Sequence, residues 1–231
     1  MLNPIVDYIA SIGIEGARWI EENVDKQYQS LLELSAYLPT DRFLTLIVKN
    51  ALIAFQLTSK GEHYWQEFSE YFISNPDGDI VDFLRTSKGN RLYHNMKINR
   101  LERIENSVFG IEYYRDMNRL RKELELKLNS TGKTIFFAVK MYGYGARIVS
   151  KQFIPYPTSI PIPVDSRVRK ITERIGGSDP EKFWQEVSYQ TGVPPLHIDS
   201  IIWPLLSGDR EILDKYRSRF SIPKFLSSLI D

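Results

Sequence analysis

Two residues of this chain have the types and settings that Schiff-base chemistry needs. Lys133 stands in Ser130-Thr131-Gly132-Lys133-Thr134, directly ahead of the apolar run Ile135-Phe136-Phe137-Ala138-Val139. Asp165 closes the segment Ile160-Pro161-Ile162-Pro163-Val164-Asp165. The first pattern puts an amine in the opening turn of a helix; the second puts a carboxylate just after a stiff proline stretch. An amine and a carboxylate that face one pocket can attack an electrophilic carbon, the lysine losing a proton to the nearby base. Lys140 lies two turns further along the same helix face and is the rival nucleophile. Lys133 is preferred because it sits at the turn, which leaves Lys140 to touch a base or pair with an acid.

The string around Gly132-Lys133-Thr134 invites a phosphate-loop reading. That motif requires a second glycine at position 127, which is a lysine here, and a strand in front. A hairpin between two helices, with 129–132 as its turn, suits the residues better. Backbone N–H groups in such a turn, Gly132 included, can hold a DNA phosphate without reading sequence. On the motif alone, an ordinary solvated lysine near a helix start remains the commoner outcome.

The elements that must position these groups are helical almost throughout. Apolar residues recur at steps of three and four over 3–23, and Thr40-Asp41 opens a helix whose face is Phe43, Leu46, Ile47, Ala51, Ala54 and Phe55. A further helix follows Gly61, and shorter ones are expected near 79–86, 90–107 and 110–127. Residues 122–128 alternate with period two, yet helix is favoured because nothing nearby offers a strand partner. Four prolines at 155, 157, 161 and 163 mark an extended linker. Helices then resume near 165–175, 179–191, 195–206, 209–219 and 222–230, so the fold class is all-α. Arg85, Lys88, Arg91, Lys97, Arg100 and Arg103, with His94 among them, form a broad basic band suited either to phosphates or to solvent.

Bulk properties narrow the field. The chain has 231 residues, 42% of them hydrophobic, which is enough for a globular core in one or two domains. A formal charge of +1 excludes binding nucleic acid by net charge alone, so any such site rests on local patches. With no cysteine there are no disulfides and no thiolate metal centres, which fits an intracellular, cytoplasmic protein. The three histidines are widely spaced, so no metal site is expected. No apolar stretch is long enough for a membrane span, and the N-terminus has no signal-peptide pattern.

Thr131-Gly132-Lys133-Thr134 followed by an apolar helix, then Ile162-Pro163-Val164-Asp165, resembles the helix–hairpin–helix DNA glycosylase superfamily. In that superfamily a lysine opens the second hairpin helix, and an aspartate follows a Val-Pro-Val-Asp-type segment. Here the two lie 32 positions apart (165 − 133), longer than is usual there. The long gap, with Asp25-Lys26-Gln27-Tyr28, the run from Leu57 to Trp65, the run from Lys133 to Lys140, Ile160 to Asp165, and Pro194-Pro195-Leu196-His197-Ile198-Asp199, looks like the archaeal 8-oxoguanine-DNA glycosylase/lyase family. The likeness runs from about residue 25 to 205.

The resemblance implies that Lys133 is the Schiff-base nucleophile and Asp165 its partner. It implies a lesion-base pocket built by Gln27, Ala54 (through its backbone), Trp65, Phe137, Pro163, Asp199 and Trp203. Ala54 stands where some members have serine; a backbone contact survives that change. It further implies two helical lobes with the active site in the cleft between them: 40–164 as a central helical barrel, and 1–39 with 165–231 as the second lobe. The expected partner is damaged DNA, double-stranded or single-stranded, met by a monomer without any cofactor; an archaeal source is implied. Arg167 and Arg169, directly after Asp165, are placed to meet the DNA backbone.

Residue chemistry agrees with parts of this picture. Phe137 shares a helix face with Lys133, and Trp203 with Asp199. An indole can stack on a purine face while an aspartate bonds its edge, although plain core packing is the commoner fate of tryptophan. Gln27 offers donors and an acceptor to a base edge, yet a solvated helix position is the more ordinary reading. The oxidised purine carries an N–H at N7 where guanine has a bare acceptor, so a fixed carbonyl, with Pro163 the candidate, would favour the lesion. A glycosylase for a different damaged base, a non-catalytic helical DNA-binding protein and a scaffold with purely structural aromatics remain open alternatives.

Overall fold

The computed structural model describes residues 4–227, which fall into two compact units. In chain order the helices are α1 (Pro4–Asn23), α2 (Lys26–Leu34), α3 (Thr40–Ile53), α4 (Gly61–Ser74), α5 (Ile80–Thr86), α6 (His94–Glu102), α7 (Met117–Leu128), α8 (Lys133–Ser150), α9 (Ser166–Arg174), α10 (Pro180–Thr191), α11 (Pro195–Ile202), α12 (Arg210–Arg217) and α13 (Lys224–Ser227). Short 3-10 turns occupy Ile111–Arg115 and Trp203–Leu206. Among the described residues there is no strand, and no helix is long and apolar enough to cross a membrane.

The central unit is residues 26–154, carrying α2 to α8. Its axis is α8, which is buried on nearly every side from Ala138 to Arg147. Close approach to α3 is possible because position 145 has no side chain: a Cβ there would stand 2.4 Å from Ile47 Cδ1. Helix α2 packs on α4 and α8. An aromatic layer of Tyr64, Trp65, Phe68, Phe72 and Phe83 fills the space between α4 and α5.

The terminal unit is residues 4–25 with 155–227, carrying α1 and α9 to α13. Its core joins Ile5, Ile9, Ala17 and Ile20 of α1 to Ile171, Trp184, Ile198, Ile201 and Tyr216. Gly13 breaks α1 with a φ of 63°, which only glycine adopts without strain. Across the two units, five helices among the described residues start on an aspartate whose carboxylate accepts backbone N–H bonds of the first turn: Asp79, Asp116, Asp165, Asp179 and Asp209. Losing such a cap costs about 1 kcal/mol.

Several expectations need adjustment. The units divide at 25/26 and 154/155, whereas 39/40 and 164/165 were expected; α2, unassigned from the sequence, moves the first boundary because its apolar face is spent on α4 and α8. The helix expected over 90–107 runs only over α6, and that over 110–127 splits at Asp116, which caps α7. Residues 122–128 are helical: Leu120, Leu124 and Leu128 face inward while Leu126 is 82% exposed, so the period of four outweighs the alternation. The tail of the expected 222–230 helix beyond 227 lies outside the described residues. The basic band is not one surface. Lys97 is 0% exposed, and Arg100 donates to the Leu52 carbonyl at 2.9 Å.

Candidate functional site

Each unit supplies one set of the candidate residues. In the central unit the organising feature is the turn between α7 and α8. Helix α7 ends with Asn129 in the left-handed conformation, φ 45° and ψ 49°, and Ser130 N–H returns to the Glu125 carbonyl at 3.2 Å. The Thr131 hydroxyl donates to the Glu125 carboxylate at 2.9 Å. Gly132 then takes φ 117° and ψ −164°, a region essentially reserved for glycine, and its carbonyl receives the N–H groups of Ile135 and Phe136. The backbone N–H groups that open α8 have no partner inside the helix and point outward. Lys133 is the first residue of α8; it is exposed, and among the described residues its amine makes no hydrogen bond or ion pair.

Beside the turn runs a groove of ≈ 490 Å³, lined by Asn99, Arg100, Arg103, Asn129 and Ser130 among others. Arg103 spans it, donating to the Leu128 carbonyl at 2.7 Å and so holding the end of α7. Two guanidinium groups along the groove and the open N–H groups at the start of α8 are the kind of donors that suit a polyanion.

The remaining central candidates sit on the helices around α8. Phe137 is half-buried, one turn after Lys133, and meets Trp65 edge to face at 6.3 Å between ring centroids. Trp65 itself is 1% exposed and also contacts Phe68 at 5.4 Å and Tyr64 at 6.4 Å. Of this pair, Phe137 is the ring that reaches the surface. Gln27 is buried near the start of α2, with its amide nitrogen against Gly61 at the start of α4. Ala54 caps the C-terminus of α3, half-buried, at φ −78° and ψ 56°. Lys140 is buried, its ammonium 5.8 Å from the Tyr144 ring centroid.

In the terminal unit Asp165 is exposed and caps α9. Its Oδ1 accepts from both Arg167 N–H and Val168 N–H at 2.9 Å, and among the described residues Oδ2 accepts no hydrogen bond. One oxygen thus fixes the carboxylate and the other is open for proton transfer. Arg167 is half-buried and Arg169 exposed on α9, and Pro163 lies half-buried in the extended segment before Asp165. Asp199 is buried on α11, and Trp203 opens the following 3-10 turn, half-buried against the unit's core.

Sequence reasoning missed the polar supports behind both sets. Behind Asp199, the Glu21 carboxylate accepts from His197 Nδ1 at 2.8 Å and from Ser200 Oγ at 2.9 Å, all three fully or almost fully buried. His197 lies between Leu196 and Ile198, and a histidine inside an apolar run is the signal that such a support leaves in a sequence. Behind Ala54, Asn90 and Lys97 form the second support. Among the described residues no cluster of three or more histidine, aspartate or glutamate side chains could hold a metal.

A family model described as N-glycosylase/DNA lyase (AGOG) matches residues 6–225. The chain is 43% identical to the N-glycosylase/DNA lyase of Thermococcus kodakarensis, over 92% of this chain and 87% of that protein. It is 45% identical to the one of Methanopyrus kandleri, over 84% and 85% respectively. The crystal structure of 8-oxoguanosine-complexed Pa-AGOG, an 8-oxoguanine DNA glycosylase from Pyrobaculum aerophilum, matches with a TM-score of 0.83 at 24% identity, over 98% of this chain and 94% of that one. The fold is therefore shared with that enzyme.

Proposed function

The chain belongs to the AGOG family of N-glycosylase/DNA lyases, and from that premise we propose that it removes 8-oxoguanine from DNA and then nicks the strand, with Lys133 as nucleophile and Asp165 as its proton partner. The observation that carries this reading is Lys133 itself: an exposed amine with no partner among the described residues, set at the first turn of α8 by a glycine-only turn.

The target nucleotide must leave the duplex before its sugar can be reached. Gln27, the Ala54 backbone, Trp65, Phe137, Pro163, Asp199 and Trp203 receive the base. Phe137 and Trp203 take its faces, with Trp65 packed edge to face behind Phe137, a stacking gain of about 1–3 kcal/mol per base, and the amide and carboxylate take its edges. Lys133 gives a proton to Asp165 Oδ2 and attacks C1′. The bond from C1′ to the base breaks, its electron pair leaves with the base, and the base takes up a proton. The attached amine sheds one proton and its lone pair then opens the sugar ring: the C1′–O4′ bond breaks, O4′ takes up a proton from solvent, and a protonated Schiff base forms. That group acidifies the C2′–H; loss of this proton expels the 3′ phosphate and nicks the strand. The turn at 129–132, with Gly132, and the guanidinium groups of Arg167 and Arg169 hold the DNA backbone. The protein acts as a monomer inside the cell, without a cofactor.

Duplexes each carrying one damaged base test the substrate. Release of 8-oxoguanine well ahead of oxidised pyrimidines and alkylated purines is expected. Faster release of one of those bases would assign a different substrate to the same Schiff-base chemistry.

A further inference from the structure

A fully buried lysine that the chemistry does not use lies in the segment that holds the end of α3, the helix that Ala54 caps. Lys97 of α6 is 0% exposed, and among the described residues no carboxylate pairs with it. Its ammonium donates to Asn90 Oδ1 and stands 4.8 Å from the Phe55 ring centroid. Asn90, also 0% exposed, uses its Nδ2 to donate to the Ile53 carbonyl at 3.1 Å and to the Tyr64 hydroxyl at 3.1 Å. Tyr64 in turn donates to Asn50 Oδ1. Arg100 lies on the other side, donating to the Leu52 carbonyl at 2.9 Å with its guanidinium 5.0 Å from the Phe55 ring centroid.

These contacts converge on one place. A helix end leaves its last carbonyls without intrahelical donors. At the end of α3, side chains from the 90–100 segment take two of them, Leu52 and Ile53. The next residue is Ala54, and Gln56 beyond it holds a left-handed φ of 48°. Further on, Thr58 N–H donates to the Gly89 carbonyl at 2.9 Å. The bend 54–57 is therefore held on both sides by the segment that carries Asn90 and Lys97. A buried amine without a counter-ion is costly. Its hydrogen bond to Asn90 and its contact with the Phe55 ring are what the buried amine offers in return.

We propose that Lys97 and Asn90 are positioning residues for lesion recognition: by fixing Asn90 and the Phe55 ring, Lys97 sets the Ala54 backbone where it meets the everted base. The inference rests on the reading that Ala54 lines the base pocket. Both side chains are fully buried and neither is assigned a step at the sugar, so their loss weakens base recognition and spares strand cleavage at a site that has no base.

Two activities separate this from a merely structural role. Lys97→Met keeps the volume and removes the donor; Asn90→Asp keeps Oδ1 and replaces the donor to Ile53. Each is assayed for single-turnover release of 8-oxoguanine from a duplex, and for nicking of a preformed abasic site, at a temperature where its unfolding curve shows it folded. Release is expected to fall by about 10–100-fold, as for a misplacement near 1 Å, with abasic-site nicking within about twofold of the parent. Equal loss of both activities, loss of neither, or failure of both variants to fold overturns the proposal. A parent enzyme that nicks abasic sites but releases no 8-oxoguanine overturns the substrate reading instead.

Discussion

The rings of Trp65 and Phe137 meet edge to face, centroids 6.3 Å apart and planes at 66°, and this contact ties α4 to the start of α8. Because Trp65 is buried and Phe137 is half-buried, one contact carries two different roles. Trp65→Ala should cost about 3–5 kcal/mol of stability, as core aromatic truncations do. Phe137→Ala should cost less stability and lower 8-oxoguanine release more. Urea unfolding and single-turnover release on the two variants check this; the reverse ranking would exchange the roles.

Asp165 is both the cap of α9 and the proposed proton partner, and one substitution divides the two. Asparagine caps a helix as well as aspartate does, while alanine loses about 1 kcal/mol. Asp165→Asn should therefore unfold like the parent and still bind DNA, yet release base about 10²–10⁴-fold more slowly. Normal turnover by this variant would remove Asp165 from the chemistry.

Gly132 sits at φ 117°, and nothing lies within 4 Å of where a Cβ would go. Any penalty of Gly132→Ala is thus conformational, on the order of 1–3 kcal/mol. The turn would shift rather than clash, carrying Lys133 with it. A loss in duplex affinity and in release, against a modest fall in thermal midpoint, is the expected pattern. Unchanged affinity would show that the turn does not hold phosphate.

Burial lowers Lys97 to about 8 from the ordinary lysine value of 10.5. Between those values the unfolded chain binds more protons than the folded one, so this group makes stability rise as pH climbs from about 8 to 10.5. Lys97→Met lacks that rise. The parent-minus-variant difference in unfolding free energy should drift in favour of the parent over this window and be flat below it. A flat difference throughout would mean that the amine is not desolvated.

How far the sequence reaches is visible in particular residues. The turn at 129–132 was legible because Asn129 and Gly132 are the residues that left-handed backbone requires, and the place of Lys133 at the start of α8 followed from it, while its proposed role came from family likeness. The aspartate before Ser166 likewise announced its helix. Lys97 was not legible: a lysine in a basic stretch reads as surface, and only the fold turns it toward Asn90 and Phe55. Helix α2 escaped because its apolar face is short and becomes meaningful only against α4 and α8. The roles proposed for Gln27 and Ala54 came from family likeness, since neither residue type signals a pocket by itself. Glu21 and His197 stand 176 positions apart, beyond any local pattern.

Borohydride trapping on duplex DNA carrying one 8-oxoguanine tests the nucleophile most directly, because reduction joins the attacking amine to the sugar permanently. The parent protein and Lys140→Gln should each give a covalent protein–DNA adduct, and Lys133→Gln should give none and release no base. An adduct formed by Lys133→Gln would place the attack on another amine and contradict the account.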